Sequence, residues 1–204
     1  PLRVHEGDDA SCLNLNRAQS PRLLGIQPHA LNSRDAFTFV KTIKGKSIDN
    51  PWLLLDHVSD ETIVPAIGDQ ATVVWSLGKS IGDTLPYVDE RGNRFRIQIV
   101  GMIANSILQG SLLISEDHFN KRFPSESGYQ TFLIDAPWSK LQAISKTLSR
   151  ALEDVGLQIT PSGERLALFN AVENTYLSIF QALGGLGLLL GSVGLGLVVL
   201  RNVL

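Results

Sequence analysis

The sequence predicts an α+β fold in which a small mixed sheet is followed by a long helix that continues into a membrane span. Three observations predict it: a hairpin pattern over residues 83–103, apolar residues at helical spacing after Pro137, and a stretch without charge over residues 174–200. The chain has 204 residues, 44% hydrophobic and 19% charged, so it can bury a core, which excludes disordered and fibrous classes.

The first half of the chain contains short apolar runs bounded by Gly, Pro or Asp, as β-strands usually are. Residues 1–33 are polar and irregular, and we expect extended loop there. Strands are predicted at Phe37 and Phe39 and at residues 52–55, 71–77 and 112–114. The hairpin turns at residues 90–93, and its second arm, from Phe95 onward, alternates most clearly between apolar and polar residues.

A short helix is predicted directly after the strand at residues 112–114. Ser115 is a suitable N-cap, and Glu116 and Asp117 place acidic side chains in the first turn, where the helix dipole favours them. Pro124 ends this helix at about residue 123.

A second helix is predicted from Pro137 to Gly156, a suitable residue for a helix C-terminus. Its apolar residues recur at spacings of three and four: Trp138, Leu141, Ile144, Leu148, Leu152 and Val155. Strands predicted at residues 129–134 and 157–160 flank this helix and complete a β-α-β unit. The right-handed crossover of such a unit implies a mixed sheet.

The stretch between Glu173 and Arg201 carries no charge, and from residue 182 to 200 its one polar side chain is Ser192. A helix needs about 20 apolar residues to cross the hydrocarbon core of a bilayer. We therefore interpret residues 178–200 as a transmembrane helix. The alternative is a helix buried in a soluble core, but such helices rarely remain uncharged over this length.

The helix that precedes this span begins after Pro161 and is predicted to be continuous with it. Residues 163–200 would extend about 60 Å, twice the roughly 30 Å of the hydrocarbon core, so half of the helix would stand outside the membrane as a stalk. The predicted domains are thus residues 1–160 and residues 161–204. Four stalk residues at helical spacing are candidates for coupling: Leu166, Phe169, Val172 and Tyr176.

Six glycines lie in the apolar run. Gly187 and Gly191 are four residues apart, as are Ser192 and Gly196. This spacing places small residues on one helix face, where a second membrane helix can approach closely. We therefore predict a transmembrane partner helix. The alternative, for any one of these residues, is that glycine is simply common in membrane helices.

No catalytic, cofactor or metal site is predicted. Residues 45–47 and 78–80 resemble the end of a phosphate-binding loop, but Val40 and Val73 stand where its first glycine is required. The four histidines have no ligand spacing and are predicted to be surface residues. The lone Cys12 is predicted to be inert. A formal net charge of −2 argues against nucleic acid as a partner.

Three segments carry a resemblance to a known family. The strings SIGDTL at residues 80–85 and FRIQIVGMI at residues 95–103 resemble a hairpin in the extracytoplasmic domain of FtsX-like and MacB-like ABC transporter permeases. Residues 105–110 are similar to the loop that follows that hairpin. Residues 174–204 are similar to the helix by which that domain re-enters the membrane. The resemblance covers residues 36–204.

The resemblance implies four transmembrane helices per permease unit, with a large extracytoplasmic domain between the first and second. This chain would be the end of that domain and the second helix, with residues 1 to about 175 outside the bacterial inner membrane. The implied partners are a cytoplasmic ABC ATPase subunit or domain, a second permease protomer, the lipid bilayer, and a periplasmic or outer-membrane protein. No cofactor is implied on this chain.

The resemblance also directs attention to the loop after the hairpin. Leu108, Gln109 and Gly110 are candidates for contact with a partner, with an ordinary connector as the alternative. Arg201, beyond the span, fits a cytoplasmic end.

The leading hypothesis is a non-enzymatic permease subunit of a mechanotransmission ABC system. A second hypothesis is a single-span, membrane-anchored extracytoplasmic binding or chaperone module. A third is a membrane-tethered enzyme that uses Cys12 or a pair of carboxylates. Three further apolar spans in the full-length sequence would favour the first over the second, and loss of function in a folded Cys12→Ser variant would favour the third.

Overall fold

The computed structural model describes residues 1–7, 20–44, 49–57 and 60–203. It divides into two compact units, Pro1–Ile144 and Ser145–Leu204. The first unit contains a seven-stranded sheet. The second is dominated by one long helix.

The strands are β1 (Arg3–His5), β2 (Arg22–Ile26), β3 (Phe39–Thr42), β4 (Ile63–Asp69), β5 (Thr84–Val88), β6 (Arg94–Ile103) and β7 (Ser111–Ser115). Their order in the sheet is β1-β2-β7-β4-β6-β3, and β5 also pairs with β6. The β2/β7 and β4/β6 pairs are parallel and the remaining pairs are antiparallel. The sheet is therefore mixed.

The helices are α1 (Pro28–Asn32), α2 (Glu116–Arg122), α3 (Leu141–Ala151) and α4 (Ser162–Val203). Two irregular helical segments, the 3₁₀ helix Pro51–Asp56 and the π-helical turn Ala71–Ser76, lie among the strands. Two short 3₁₀ turns, Trp138–Lys140 and Glu153–Val155, flank α3.

Both faces of the sheet are buried. On one face, α2 contributes Phe119 and Phe123 to a cluster with Ile97 and Ile99 of β6. This packing is close, because a Cβ added at Gly25 of β2 would lie 2.8 Å from the Cγ of Phe119. On the other face, the 3₁₀ helix contributes a second set of buried side chains: Trp52, Leu54 and Leu55.

A bulge in β6 supplies side chains to both faces. The register with β4 moves from the Ala66/Ile99 pair to the Ile67/Gly101 pair, so Val100 has no partner residue in β4. Before the bulge Ile99 enters the first cluster, and at the bulge Val100 enters the second. The extra residue thus changes which alternate positions of β6 face each layer.

The predicted fold class is confirmed: the chain has an α+β fold with a mixed sheet and a long apolar C-terminal helix. The hairpin is found as β5 and β6, and the carboxylate of Asp89 accepts the N–H groups of Arg91 and Asn93 in its turn. Ser115 is the N-cap of α2, as predicted, and accepts the N–H of His118 at 3.4 Å.

Two predicted strands are wrong. Residues 52–55 belong to the 3₁₀ helix Pro51–Asp56, and residues 71–77 coincide with the π-helical turn Ala71–Ser76. Both segments cover a face of the sheet instead of entering it, and a short apolar run has the same composition in either position. Pro51 favours the first turn of a helix, because its φ is fixed and it has no N–H to satisfy.

The predicted β-α-β unit over residues 129–160 is also wrong. Its helix is present as α3, but of its flanking segments only Thr131 makes a bridge, to Leu2. The neighbouring edge strand β1 has three residues and leaves little backbone to pair with. The parallel pairs of the sheet come instead from β2/β7 and β4/β6.

The expectation of extended loop over residues 1–33 is wrong for its described part, which contains β1, β2 and α1. Leu23 points into the first cluster, and Leu24 and Ile26 belong to the second. A strand buried on both faces lacks the apolar and polar alternation by which strands are recognised.

A polar network joins the N-terminal strand to α2. The carboxylate of Glu116 accepts hydrogen bonds from Arg3 at 2.7 Å, Gln27 at 2.8 Å and the hydroxyl of Tyr129 at 2.8 Å. Burial raises the pKa of Glu116, but these three hydrogen bonds outweigh it and hold the pKa below its ordinary value of 4.5.

We expect Glu116→Gln to lower the free energy of unfolding by about 1–3 kcal/mol at neutral pH, the usual worth of hydrogen bonds to a charged group. Because the folded-state pKa is depressed, the stabilisation is fully present above pH 4.5 and is lost as the pH falls through the folded-state value. Urea unfolding of the detergent-solubilised chain across a pH series measures this.

The difference between wild type and variant should therefore shrink in acid. Glu61→Gln is the matched control, because the Glu61 side chain makes no hydrogen bond to any described residue. A difference that stays constant from neutral pH into acid would contradict the role assigned to the Glu116 carboxylate.

Candidate functional site

One helix in the described part of the chain is long and apolar enough to cross a membrane: α4, within the window Ser178–Gly196. None of this window is buried. Its exposed large apolar residues are Ile179, Phe180, Leu183, Leu186, Leu188, Leu189, Leu190, Val193 and Leu195. A helix that is apolar on all sides and uncovered has the surface expected of a helix in lipid.

The polar atoms of this window are satisfied within the helix. The hydroxyl of Ser192 donates to the carbonyl oxygen of Leu188 at 2.7 Å, one turn earlier. The backbone groups are bonded along the helix, which continues without a break from Ser162 to Val203. Such internal satisfaction is required where no water is available.

The candidate packing residues form open surfaces on α4. A Cβ added at Gly187, Gly191 or Gly196 would meet nothing within 4 Å. Gly184 and Gly194 lie three residues before Gly187 and three after Gly191 and so share their face, which makes them further candidates for a helix contact.

The stalk is the part of α4 that precedes the apolar window. It rises about 24 Å between Ser162 and Ser178. Leu166 and Phe169 are half-buried, and the guanidinium of Arg165 lies 5.7 Å from the centre of the Phe169 ring. The side chains of Val172 and Tyr176 lie outside the described residues.

A second candidate region lies where β4 and β6 end. These strands are parallel, so their last residues, Asp69 and Ile103, lie side by side. The buried carboxylate of Asp69, 1% exposed, accepts the N–H of Ala71 at 2.9 Å and the N–H of Ser106 at 2.7 Å. One side chain thus fixes both the π-helical turn that follows β4 and the loop that follows β6.

Further hydrogen bonds hold that loop, residues 104–110. The hydroxyl of Ser106 accepts the N–H of Leu108 at 3.2 Å, and the hydroxyl of Thr72 accepts the N–H of Gly110 at 2.8 Å. Leu108 is only 6% exposed and packs in the second cluster. Of the three candidates, Leu108 is therefore not available to a partner, Gln109 is half-buried and Gly110 is exposed; Asn105 of the same loop is exposed as well.

Trp75 is a surface residue that the sequence did not predict. It was assigned to a strand, but it lies on the π-helical turn with 82% of its surface exposed. Val73 of the same turn is buried. This turn therefore places the side chain of Val73 in the core and that of Trp75 in solvent. We call Trp75, Gln109 and Gly110 the strand-end surface, because they follow the ends of β4 and β6 in the sheet.

The described titratable groups of the first unit include carboxylate–histidine pairs and one buried histidine. The carboxylate of Asp56 lies 3.6 Å from the ring of His29, and burial raises the pKa of Asp56 while His29 opposes the shift. The prediction of surface histidines is wrong for His118, which is buried where α2 packs on the sheet and whose pKa is lowered by that burial.

No group of three or more His, Cys, Asp or Glu side chains suited to a metal ion occurs among the described residues. Cys12 and residues 45–47 lie outside them. A surface cleft of about 320 Å³ beside β3 is lined by Asp35, Phe37, Thr38, Phe39, Thr42, Asp49 and Pro51. The cleft lining includes two carboxylates and two threonine hydroxyls, and neither a histidine nor a cysteine.

No protein-family model and no curated protein sequence matches the chain. Among solved structures, the periplasmic region of MacB from Actinobacillus actinomycetemcomitans matches it with a TM-score of 0.38 and 11% sequence identity. The match covers 76% of this chain and 65% of that chain. This chain therefore spans just under two thirds of the length of the matched region.

We expect Asp69→Asn to loosen the loop over residues 104–110. The amide presents a donor to one of the two N–H groups that the carboxylate now accepts, which leaves a buried N–H unsatisfied at a cost of about 1–3 kcal/mol. Hydrogen exchange followed by mass spectrometry should show faster exchange in this loop, by about tenfold or more.

The matched control is Asp60→Asn. Asp60 also accepts a backbone N–H, that of Thr62, but in an exposed turn, so the change should be within about 0.5 kcal/mol. Unchanged exchange of the loop in Asp69→Asn would show that Asp69 does not hold it.

Proposed function

We propose that this chain is part of a permease of a mechanotransmission ABC transporter, which couples ATP hydrolysis on a partner chain or domain to work on an extracytoplasmic substrate. The observation that carries the proposal is α4, a single helix that joins a membrane-capable segment to the folded part of the chain without interruption. The resemblance of residues 80–103 and 174–204 to FtsX-like and MacB-like permeases supports it.

The length of α4 suits a lever. Its 42 residues extend about 63 Å, of which a bilayer takes about 30 Å. A helix transmits displacement along its axis because each turn is hydrogen-bonded to the next. A sharp bend requires some of these hydrogen bonds to be broken. A movement imposed at the cytoplasmic end of α4 would therefore reach Ser162.

The first unit suits the receiving end of such a lever. Its sheet is packed on both faces, and Asp69 fixes the two segments that carry the strand-end surface to the ends of β4 and β6. We propose that Gln109 and Gly110, with Trp75, form the contact with a periplasmic or outer-membrane partner. Leu108 would support this contact from the core.

The proposal places residues 1–160 outside the inner membrane as the extracytoplasmic domain and residues 161–204 in the stalk and span. The partners are the ABC ATPase, a second permease protomer and the lipid bilayer. The chain itself would carry no catalytic residue, cofactor or nucleic-acid site.

Purification of the full-length protein in mild detergent tests the proposal directly. We expect a stoichiometric ATPase subunit or a fused ATPase domain, and ATP hydrolysis by the complex. A single-span protein without ATPase would instead support the anchored binding module, which the single membrane-capable helix of the described residues also fits.

The lever itself is tested by Tyr176→Pro. Proline inside a helix removes a hydrogen bond and clashes with the preceding turn, at a cost of about 3 kcal/mol or more. We expect the ATPase activity to persist while the work on the extracytoplasmic side is lost. Both are measured in the same reconstituted complex.

Tyr176→Ala is the control, because alanine removes the side chain and keeps the helix. It should retain coupling if helix continuity is what matters. Full coupling in the proline variant would refute the lever.

The face of α4 that carries Gly187 and Gly191 is tested by the double change Gly187→Leu and Gly191→Leu. Large side chains at a close contact between two helices should weaken their association by about 1–3 kcal/mol. This lowers the assembly constant by about 5- to 150-fold. We expect a corresponding loss of co-purified permease partner, measured by quantitative mass spectrometry. Leu186→Phe is the control, because it adds volume away from this face and should assemble normally. If the double variant also assembled normally, the proposed contact would be excluded.

A further inference from the structure

Residues 129–134 have the composition of a β-strand, although only Thr131 among them forms a bridge, to Leu2 next to β1. Their side chains are those of Tyr, Gln, Thr, Phe, Leu and Ile, without charge, proline or glycine. Aromatic and β-branched residues favour strands, and an uncharged run of about six such residues is typical of segments that pair with another strand. The segment therefore has the character of an edge strand at the margin of the sheet.

The backbone of residues 132–136 makes no hydrogen bond to any described residue. The residues before them do: the N–H of Leu2 donates to the carbonyl oxygen of Thr131 at 2.7 Å, and the N–H of Gln130 donates to the carbonyl oxygen of Leu2 at 3.2 Å. The chain then continues to Pro137 without a turn or a bend. Unpaired N–H and C=O groups along such a segment are a template on which another strand can pair.

The side chains of this segment alternate between the core and solvent. Thr131 and Leu133 are half-buried, and Leu133 packs against the second cluster. Phe132 and Ile134 point outward, and each is 54% exposed. A strand with one face on the core usually carries polar residues on its outer face. Here the outer face carries two large apolar side chains beside an unpaired backbone.

The other margins of the sheet are protected against pairing. Strands β3 and β5 each pair only with β6, and both carry an exposed residue that discourages a further strand: Lys41 in β3 and Pro86 in β5. The run at residues 129–134 contains neither lysine nor proline. Its edge is thus open to a partner strand in a way that the other edges are not.

We propose that residues 130–136 of two copies of the chain pair as antiparallel strands about a two-fold axis at Leu133. Phe132 of each copy then lies opposite Ile134 of the other, and such a pair of aromatic and β-branched side chains is favourable across strands. The N–H and C=O groups of both residues gain the partners that the single chain lacks. The inference rests on the proposed function, in which a second permease protomer is a partner.

A second copy is the occupant because the segment is complementary to itself, as a two-fold contact requires. Moving the register by two residues would instead place Ile134 opposite Gln130, or Leu133 opposite Asp135. Two such short strands bury less than the roughly 1,000 Å² of a stable interface. Copies that α4 holds in one bilayer need less area, because tethering raises their effective concentration.

Cross-linking of engineered cysteines in membranes that contain the whole chain tests the register. Cys12→Ser removes the one cysteine, and copies with Phe132→Cys and with Ile134→Cys are produced together under different tags. These two positions would face each other with Cα atoms about 5.5 Å apart, which suits a disulfide, whereas like positions would be about 7–8 Å apart. On oxidation with copper phenanthroline, we expect the mixed disulfide to exceed either like pair by about tenfold.

Val88→Cys is the matched control, because Val88 is 49% exposed on β5, whose edge is not proposed to pair. Its yield measures cross-linking by random collision. Equal yields of mixed and like pairs, or a mixed yield no higher than that of Val88→Cys, would overturn the inference.

Ile134→Lys tests the pairing without cysteines. Lysine on a strand edge prevents pairing, and the exposed Ile134 can be replaced without disturbing the core. Since the amides of residues 132–136 have no acceptor within the described chain, their protection from hydrogen exchange reports a partner strand. We expect these amides to exchange about tenfold faster in Ile134→Lys than in wild type, and Val88→Lys to leave them unchanged.

Co-purification with an ATPase separates the two proposals. If the ATPase co-purifies but the mixed disulfide does not form, the strand pairing is overturned and the permease stands. If the mixed disulfide forms without an ATPase, the pairing stands and the permease fails. Protected amides at residues 132–136 without cross-linking between copies would mean that a strand of a different protein occupies the edge, which also overturns the inference.

Discussion

The seven-stranded sheet of the first unit depends on the hydrogen bonds that β6 makes with its neighbouring strands. This strand of ten residues pairs with β4 over its length, with β5 at its beginning and with β3 at its end. Successive residues of a strand point to opposite faces, so this one strand contributes to both apolar clusters, and its bulge at Val100 shifts that alternation by one residue. Since burying a backbone without pairing its polar groups is costly, these ladders allow both faces of the sheet to be covered. The parallel pairing with β4 also places Asp69 beside the loop that it holds.

A different constraint applies to a membrane-capable helix such as α4. In hydrocarbon no water can satisfy a backbone group, so the segment must satisfy itself, and a helix does so at every residue. The glycines that would weaken this helix in water are tolerated there. The bond from Ser192 to the carbonyl of Leu188 follows the same requirement at a side chain. A segment that must be helical to be stable in lipid is also stiff, and this joins the physical chemistry of the span to the proposed mechanical role.

The sequence predicted elements whose cause is local. The turn of the hairpin is fixed by the side chain of Asp89, the start of α2 by Ser115, and the end of the helical segment around α3 by Gly156 in a left-handed conformation with φ of 70°. The length and apolar character of the Ser178–Gly196 window are likewise properties of composition. The sequence did not predict the partners of the strands. Residues 52–55 and 71–77 are apolar because they cover the sheet, and composition does not distinguish covering a sheet from joining it.

The candidate sites divide in the same way. Sequence alone determined that α4 is continuous, that small residues recur on its faces, and that the apolar residues of α3 recur at helical spacing, because each is a pattern along one helix. Only the tertiary structure decided that Leu108 is buried while Trp75 is exposed, and that Asp69 binds the backbone of Ser106, 37 positions away. The physical reason is that periodicity encodes which side of an element is apolar, whereas contacts between distant residues depend on which strands pair. Which strands pair is determined by the folded sheet as a whole.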